Sequence, residues 1–182
     1  VDFTHATELG VTIRGELFAH LLFELILNCS GWRFVQLAYS ETFESISDGI
    51  QNAFWSLGGV TEVVCHDSLS AATKELKETA GRMLTPRFKF LMEHYGIQSR
   101  RIRVRKANEN GVVESGHGTL KSALRQALVL RGSKDFESVE VYLVFVAAVV
   151  ARLNEKCAGR LEQERPSLRQ LPSARIPSHT DV

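Results

Sequence analysis

HLLFELILNCSGWRFVQLAY, residues 20–39, decides how the chain is built. Its two halves, HLLFELIL (20–27) and WRFVQLAY (32–39), are rich in the branched and aromatic residues that strands favour. Asn28, Cys29, Ser30 and Gly31 between them make a hairpin loop of common length and suitable residues. The stretch predicts two antiparallel strands, and residues 1–4 predict a partner strand for them.

After the hairpin the period changes from two to that of a helix. Phe43, Ile46, Ile50, Phe54 and Leu57 recur at helical spacing and Gly58-Gly59 ends the run, so a first helix covers one face of the sheet. VTEVVCHD (60–67) reads as a short buried strand ending on Asp67, followed by a helix from about Ser70. PRFKFLMEHYG (86–96) opens another helix at Pro86 and stops it at Gly96. IQSRRIRVR (97–105) alternates Ile102 and Val104 against Arg101, Arg103 and Arg105, the pattern of a half-exposed strand. A helix beginning near Glu114 then runs to about Arg131, and Asp135 is expected to cap a last helix from Phe136 to about Lys156. From Ala158 periodicity is lost and three of the four prolines appear, so 158–182 is expected to be a linker outside the 1–157 core.

The resulting order, three strands, a helix, a strand, then helices and a strand, is an α/β layout with an antiparallel hairpin on an otherwise parallel sheet. In such sheets polar residues at the carboxyl ends of neighbouring strands tend to meet at a site. Asp2 in the first strand and Asp67 at the end of the fourth are candidates for that meeting.

Composition narrows the classes. The longest apolar runs, such as LVFVAAVVA (143–151), fall well short of the ~20 residues a membrane-spanning helix requires. Cys29, Cys65 and Cys157 are odd in number and lack C-x-x-C spacing, which predicts reduced, mostly buried thiols in a cytosolic protein rather than a disulfide framework or zinc knuckle. A net charge of +1 is low for a domain that holds nucleic acid by its surface alone. Basic residues are concentrated, however, in QSRRIRVRK (98–106). The chain opens at Val1 in what reads as mid-strand and is expected to be a segment of a longer protein.

ENGVVESGHGTLK (109–121) carries an acid with two readings. Glu114 is either an ordinary carboxylate at the positive end of a helix dipole or a member of a site. His117 and Lys121 follow it along nearly one helix face, as does Arg125.

VDFT (1–4), HDSLSAA (66–72) and ENGVVESGHGTLK together resemble the three acidic motifs of the DDE integrase core, and in detail the IstA-type transposases of bacterial insertion sequences. THATELGVTIRGE (4–16), SGWRFVQ (30–36), SISDGIQNAFWSLGGV (45–60) and ALVLRGSKDFESVEVY (127–142) are similar to that family as well, and the resemblance extends from Val1 to roughly Pro172. The 46 residues between Asp67 and Glu114 exceed the spacing of retroviral integrases and fit the IstA group, which has a longer insertion there. The resemblance implies a ribonuclease-H-like fold, a mixed five-stranded sheet flanked by helices. It also implies that 158–182 leads toward a C-terminal domain, and that a helix-turn-helix region and a small C-terminal β domain lie outside this stretch.

By the same resemblance Asp2, Asp67 and Glu114 are the catalytic carboxylates and the ligands of two Mg2+, with Mn2+ as substitute; Asp2 would bridge the ions and the other two would each hold one. The implied reaction is nicking of transposon ends to free a 3′ hydroxyl, followed by attack of that hydroxyl on target DNA. Such displacement is assisted by two ions ~3.5–4 Å apart that stabilise the attacking and leaving oxygens, and magnesium is a hard cation that takes carboxylate oxygens.

Lys121 and Arg125 either meet phosphates near the scissile bond or are solvated charges. His117 either orients a water or phosphate or fills a polar edge. The strand bearing Arg101, Arg103 and Arg105 is favoured as a DNA-backbone contact over a merely solvated face. His5 and His66 flank the first two acids without further ligands at zinc spacing, so structural roles, or support of the neighbouring acids, are expected. The partners implied by the family are transposon-end and target DNA, further copies of the chain assembled on DNA, and an AAA+ ATPase similar to IstB, in the nucleoid-associated cytoplasm of a bacterium. A ribonuclease-H-like nuclease without strand transfer, or an inactivated DNA-binding or assembly module, would share the fold.

Overall fold

The structure, a computed structural model, describes residues 1–66, 73–75, 82–101 and 107–177, with the backbone alone for 73–75, 82–84, 101 and 107–117. In chain order the strands are β1 (Asp2–His5), β2 (Thr12–Ile13), β3 (Glu16–Leu17), β4 (Leu21–Ile26), β5 (Arg33–Ala38), β6 (Val63–His66), β7 (Thr73–Glu75), β8 (Arg82–Leu84), β9 (Gln98–Arg101) and β10 (Asp135–Phe136). The helices are α1 (Phe43–Leu57), α2 (Pro86–Tyr95), α3 (Ala107–Arg131), α4 (Val139–Glu155) and α5 (Ala158–Glu164).

The hairpin forms as its sequence predicts. β4 pairs antiparallel with β5 on one side and with β1 on the other, in the registers Leu21↔Ala38 and Asp2↔Glu24. Strand side chains alternate between faces, and β4 uses both. Leu21, Phe23, Leu25 and Leu27 belong to one buried cluster with α1 and α2, through Ile46, Ile50, Phe54, Phe88 and Leu91. Leu22 belongs to a second cluster with α3 and α4, through Leu120, Leu124, Leu128, Tyr142 and Val146.

Helix ends are fixed by local chemistry. Thr42, Thr85 and Ser138 each cap a helix by accepting a backbone N–H three residues on, and Gly58 and Gly96 close α1 and α2 in the left-handed conformation. Inside α1, Gly49 lets the helix lie directly on the sheet. A Cβ there would stand 2.5 Å from Cδ1 of Phe23.

Several expectations are corrected. The five strands do not form one continuous sheet: among the described residues the ladders are β1-β4-β5 and the parallel pair β6-β9, with β10-β2-β3 and β7-β8 separate. The two main ladders touch where the Val1 nitrogen donates to the Cys65 carbonyl oxygen at 2.6 Å. A cavity of about 150 Å³ lined by Leu25, Leu27, Val64 and Cys65 lies between β4 and β6. The helix expected from about Ser70 is replaced, in its described part, by the antiparallel pair β7–β8. ATKELKETAGR (72–82) has a single leucine, too little apolar surface to hold a helix against the body.

Asp135 does not cap the last helix; Ser138 does. Its carboxylate accepts from the Thr12 hydroxyl (2.6 Å) and the Gly15 N–H (2.8 Å), which ties β10 to the β2–β3 turn. Finally, residues 158–177 are folded against the core. α5 buries Leu161, Val60 and Arg169 exchange backbone hydrogen bonds at 2.9 Å, and Leu168, Leu171 and Ile176 pack on the α1–α2 cluster. The prolines break helical periodicity there without removing the apolar residues that dock the segment. Of the three cysteines, all free, only Cys157 is buried; Cys65 is intermediate and Cys29 exposed.

His20 illustrates how the second cluster tolerates a polar group. Its Nδ1 donates to the Phe18 carbonyl (2.8 Å), which leaves Nε2 to accept from the Tyr142 hydroxyl (2.8 Å). Burial holds its pKa below the usual 6.5, against the opposing pull of the Phe18 carbonyl, so the unfolded chain takes up this proton first as pH falls. The stability His20 contributes is therefore complete above 6.5 and lost on acidification below it. Melting temperatures measured across that range should fall more steeply for the wild type than for His20→Gln. Gly49→Ala should lower stability by about 1–3 kcal/mol in urea denaturation, because overpacking against Phe23 outweighs the gain in helix propensity.

Candidate active site

β1, the end of β6 and α3 carry the three expected acids or the residue before one of them. Asp2 is the first residue of β1, half-buried, with its Oδ1 accepting the Phe3 N–H at 2.8 Å. Directly across the ladder stands Glu24, whose side chain is fully buried on the face that Leu22 shares with α3 and α4. Two carboxylates opposite one another repel, and the fold answers with Arg33: its Nη1 lies 3.0 Å from Oε1 of Glu24, and the guanidinium is itself nearly buried. Asn154 of α4 then fastens Arg33 by its backbone, accepting its N–H at 2.9 Å and donating to its carbonyl at 2.8 Å. Asp2 thus faces a neutralised pair instead of a second net negative charge.

β6 ends on His66, so Asp67 is the next residue and lies outside the described residues. His66 is buried, with Nε2 2.8 Å from Oγ of Ser99 on β9 and its ring edge-on to Phe88 of α2. These contacts fix the end of the strand from which the acidic residue departs. His5 is exposed, 3.8 Å from Glu41.

α3 starts at Ala107, so Glu114 is about two turns inside the helix and not at its start. The dipole effect falls off within the first turn and gives no account of an acid at that position. The side chains of Glu114, His117 and Arg101 lie outside the described residues, as do Arg103 and Arg105 entirely; Arg101 is the last residue of β9. Among the described residues no group of three His, Cys, Asp or Glu side chains is arranged to hold a metal ion. Asp2, the one of the three acids whose side chain is described, offers a carboxylate oxygen of the kind a hard cation such as magnesium takes.

Lys121 and Arg125 are described, and neither is merely solvated. Both pair with Glu8, from the 3-10 turn Thr7–Leu9 that follows β1: Lys121 Nζ meets Oε1, and Arg125 Nη2 lies 3.2 Å from Oε2. The bond from Lys121, more than any other contact, holds the Glu8 carboxyl below the usual carboxylate range. Glu8 had no sequence signal, since a glutamate between Thr7 and Leu9 shows nothing of the helix that passes it more than a hundred residues later.

The chain has the fold of the catalytic core domain of BIV integrase, whose crystal structure it matches with a TM-score of 0.63 over 91% of this chain and 93% of that one, at 19% identity. It is 39% identical over its whole length to the uncharacterized protein y4jA/y4nE/y4sE of Sinorhizobium fredii (strain NBRC 101917 / NGR234), and spans 36% of that protein's length. No family model matches the chain.

The buried pair next to Asp2 can be tested by a double-substitution cycle. Arg33→Met should destabilise the fold by about 3–5 kcal/mol, because it withdraws the cation from a carboxylate inside the protein, whereas Glu24→Met combined with Arg33→Met should recover most of the loss. Chemical denaturation of the three variants measures both.

Proposed function

We propose that the chain is the catalytic core of a DNA transposase of the IstA type, which nicks transposon ends and joins the freed 3′ hydroxyl to target DNA. The observation that carries this reading is the integrase-core fold over nearly the whole chain, combined with an acid on β1, an acid immediately after β6 and an acid on α3.

In this reading Asp2, Asp67 and Glu114 hold two Mg2+, or Mn2+ in their place. Bound there, the ions stabilise the attacking and leaving oxygens of an in-line displacement. The carboxylates need take up no proton: each contributes a fixed negative charge and a hard oxygen. One site serves both steps, since only the nucleophile changes from water to a DNA end. Lys121 and Arg125 contact phosphates near the reacting bond, His117 orients a water or phosphate, and Arg101, Arg103 and Arg105 hold the DNA backbone without reading its sequence. Paired DNA ends call for a homo-oligomer, and target DNA for a helper AAA+ ATPase similar to IstB. The proposed setting is the nucleoid-associated cytoplasm of a bacterium. No helix of the described residues is long and apolar enough to cross a membrane.

Strand transfer by the full-length protein with precut ends separates this reading from a nuclease that only hydrolyses. Glu114→Gln keeps the shape and removes the charge, and should lower cleavage and joining by roughly a hundredfold or more, the upper range seen when even the partners of metal ligands are lost. Magnesium should raise the melting temperature, by ~2.7 kcal/mol of stabilisation at about a hundredfold excess over Kd. Asp2→Asn should abolish the rise. Equal strand transfer by wild-type and Glu114→Gln protein at matched folding would overturn the assignment.

A further inference from the structure

The contact of Glu8 with Lys121 and Arg125 joins the turn after β1 to α3, yet it is not what seats the turn. Ala6 and Leu9, on either side of Glu8, are 1% and 2% exposed and pack in one cluster with Leu120 and Leu124, which flank Lys121 and Arg125 on the helix. The ionic groups lie outside this apolar contact: the Glu8 and Arg125 side chains are about half exposed, at 48% and 51%, and Lys121 is 25% exposed. Solvent screens pairs of this kind, and they add little to stability.

The geometry has a second reading. One carboxylate spans two cations spaced four residues apart on a helix, one oxygen to each. A phosphodiester offers the same arrangement, with two unesterified oxygens and one negative charge, and binds lysine and arginine by charge-assisted hydrogen bonds. We infer that Glu8 is an internal stand-in for a DNA phosphate: it occupies Lys121 and Arg125 in the free protein and is displaced when the DNA backbone arrives. The inference rests on the DNA reading of those two residues and adds to it a competitor within the chain. With Glu8 in place the cluster carries one net positive charge. Without it there are two, and each cation that neutralises a phosphate releases a counterion condensed on the DNA.

The test is equilibrium binding of the 182-residue chain to a fluorescently labelled duplex of arbitrary sequence over a salt series. Glu8→Gln should bind about three- to tenfold more tightly at low salt, with the slope of log affinity against log salt steeper by roughly 0.9, one phosphate contact. Glu8→Asp, which keeps the charge, should keep the wild-type slope. Lys121→Ala with Arg125→Ala should weaken binding, and adding Glu8→Gln to that pair should change nothing further. If Glu8→Gln binds no more tightly than wild type while the Lys121/Arg125 double variant weakens binding, the stand-in role is wrong and the DNA reading survives. If the double variant binds DNA as the wild type does, the DNA reading of these residues has failed and the inference falls with it. Melting temperatures of all variants check that each is folded.

Discussion

Strand β4 is covered on both faces, and the rest of the molecule is arranged around that constraint. Its residues Leu21, Phe23 and Leu25, with Leu27 just beyond its end, are packed by α1 and α2, and Leu22 by α3 and α4. A strand buried on both sides has no tolerance for a slip of one residue, because every side chain would change clusters. The register of β1 on β4 is held by the same packing, and with it the position of Asp2 opposite Glu24.

The polar exceptions on this framework come as compensated groups. Glu24 is buried with Arg33, and Arg33 is in turn held at its backbone by Asn154. His20 is satisfied at both ring nitrogens by Phe18 and Tyr142. Gln51 uses one amide oxygen to receive both the Tyr95 hydroxyl and the Ile176 N–H, so the C-terminal segment completes a polar group of α1. Buried polar atoms cost most when left unpaired, and Tyr142, Asn154 and Ile176 reach these groups from distant parts of the chain. Such links make the two clusters and the C-terminal segment depend on one another.

Where the sequence was misleading, a local rule lost to a tertiary contact. Asp135 follows a glycine and a lysine ahead of an apolar run and looks like a helix cap, but Ser138 takes that place while Asp135 joins Thr12 and Gly15. The start of α3 was expected near Glu114, at a junction between a glycine turn and a helix. The helix nonetheless begins at Ala107 and is anchored downstream by Leu120, Leu124 and Leu128. Residues after Ala158 lose periodicity but keep Leu161, Leu168, Leu171 and Ile176, and these dock them.

The sequence alone determined the hairpin, α1, α2, the end of α3 and the order of the three acids, since each rests on neighbours along the chain: alternation, helical spacing, capping residues and stop glycines. It also carried the resemblance from which the integrase-core fold was expected. Only the tertiary structure decided that the strands separate into ladders, that Glu24 and Arg33 form a buried pair beside Asp2, and that Glu8 holds Lys121 and Arg125. Charges more than a hundred residues apart meet because apolar faces on either side of them pack, and no spacing within one sequence encodes that meeting.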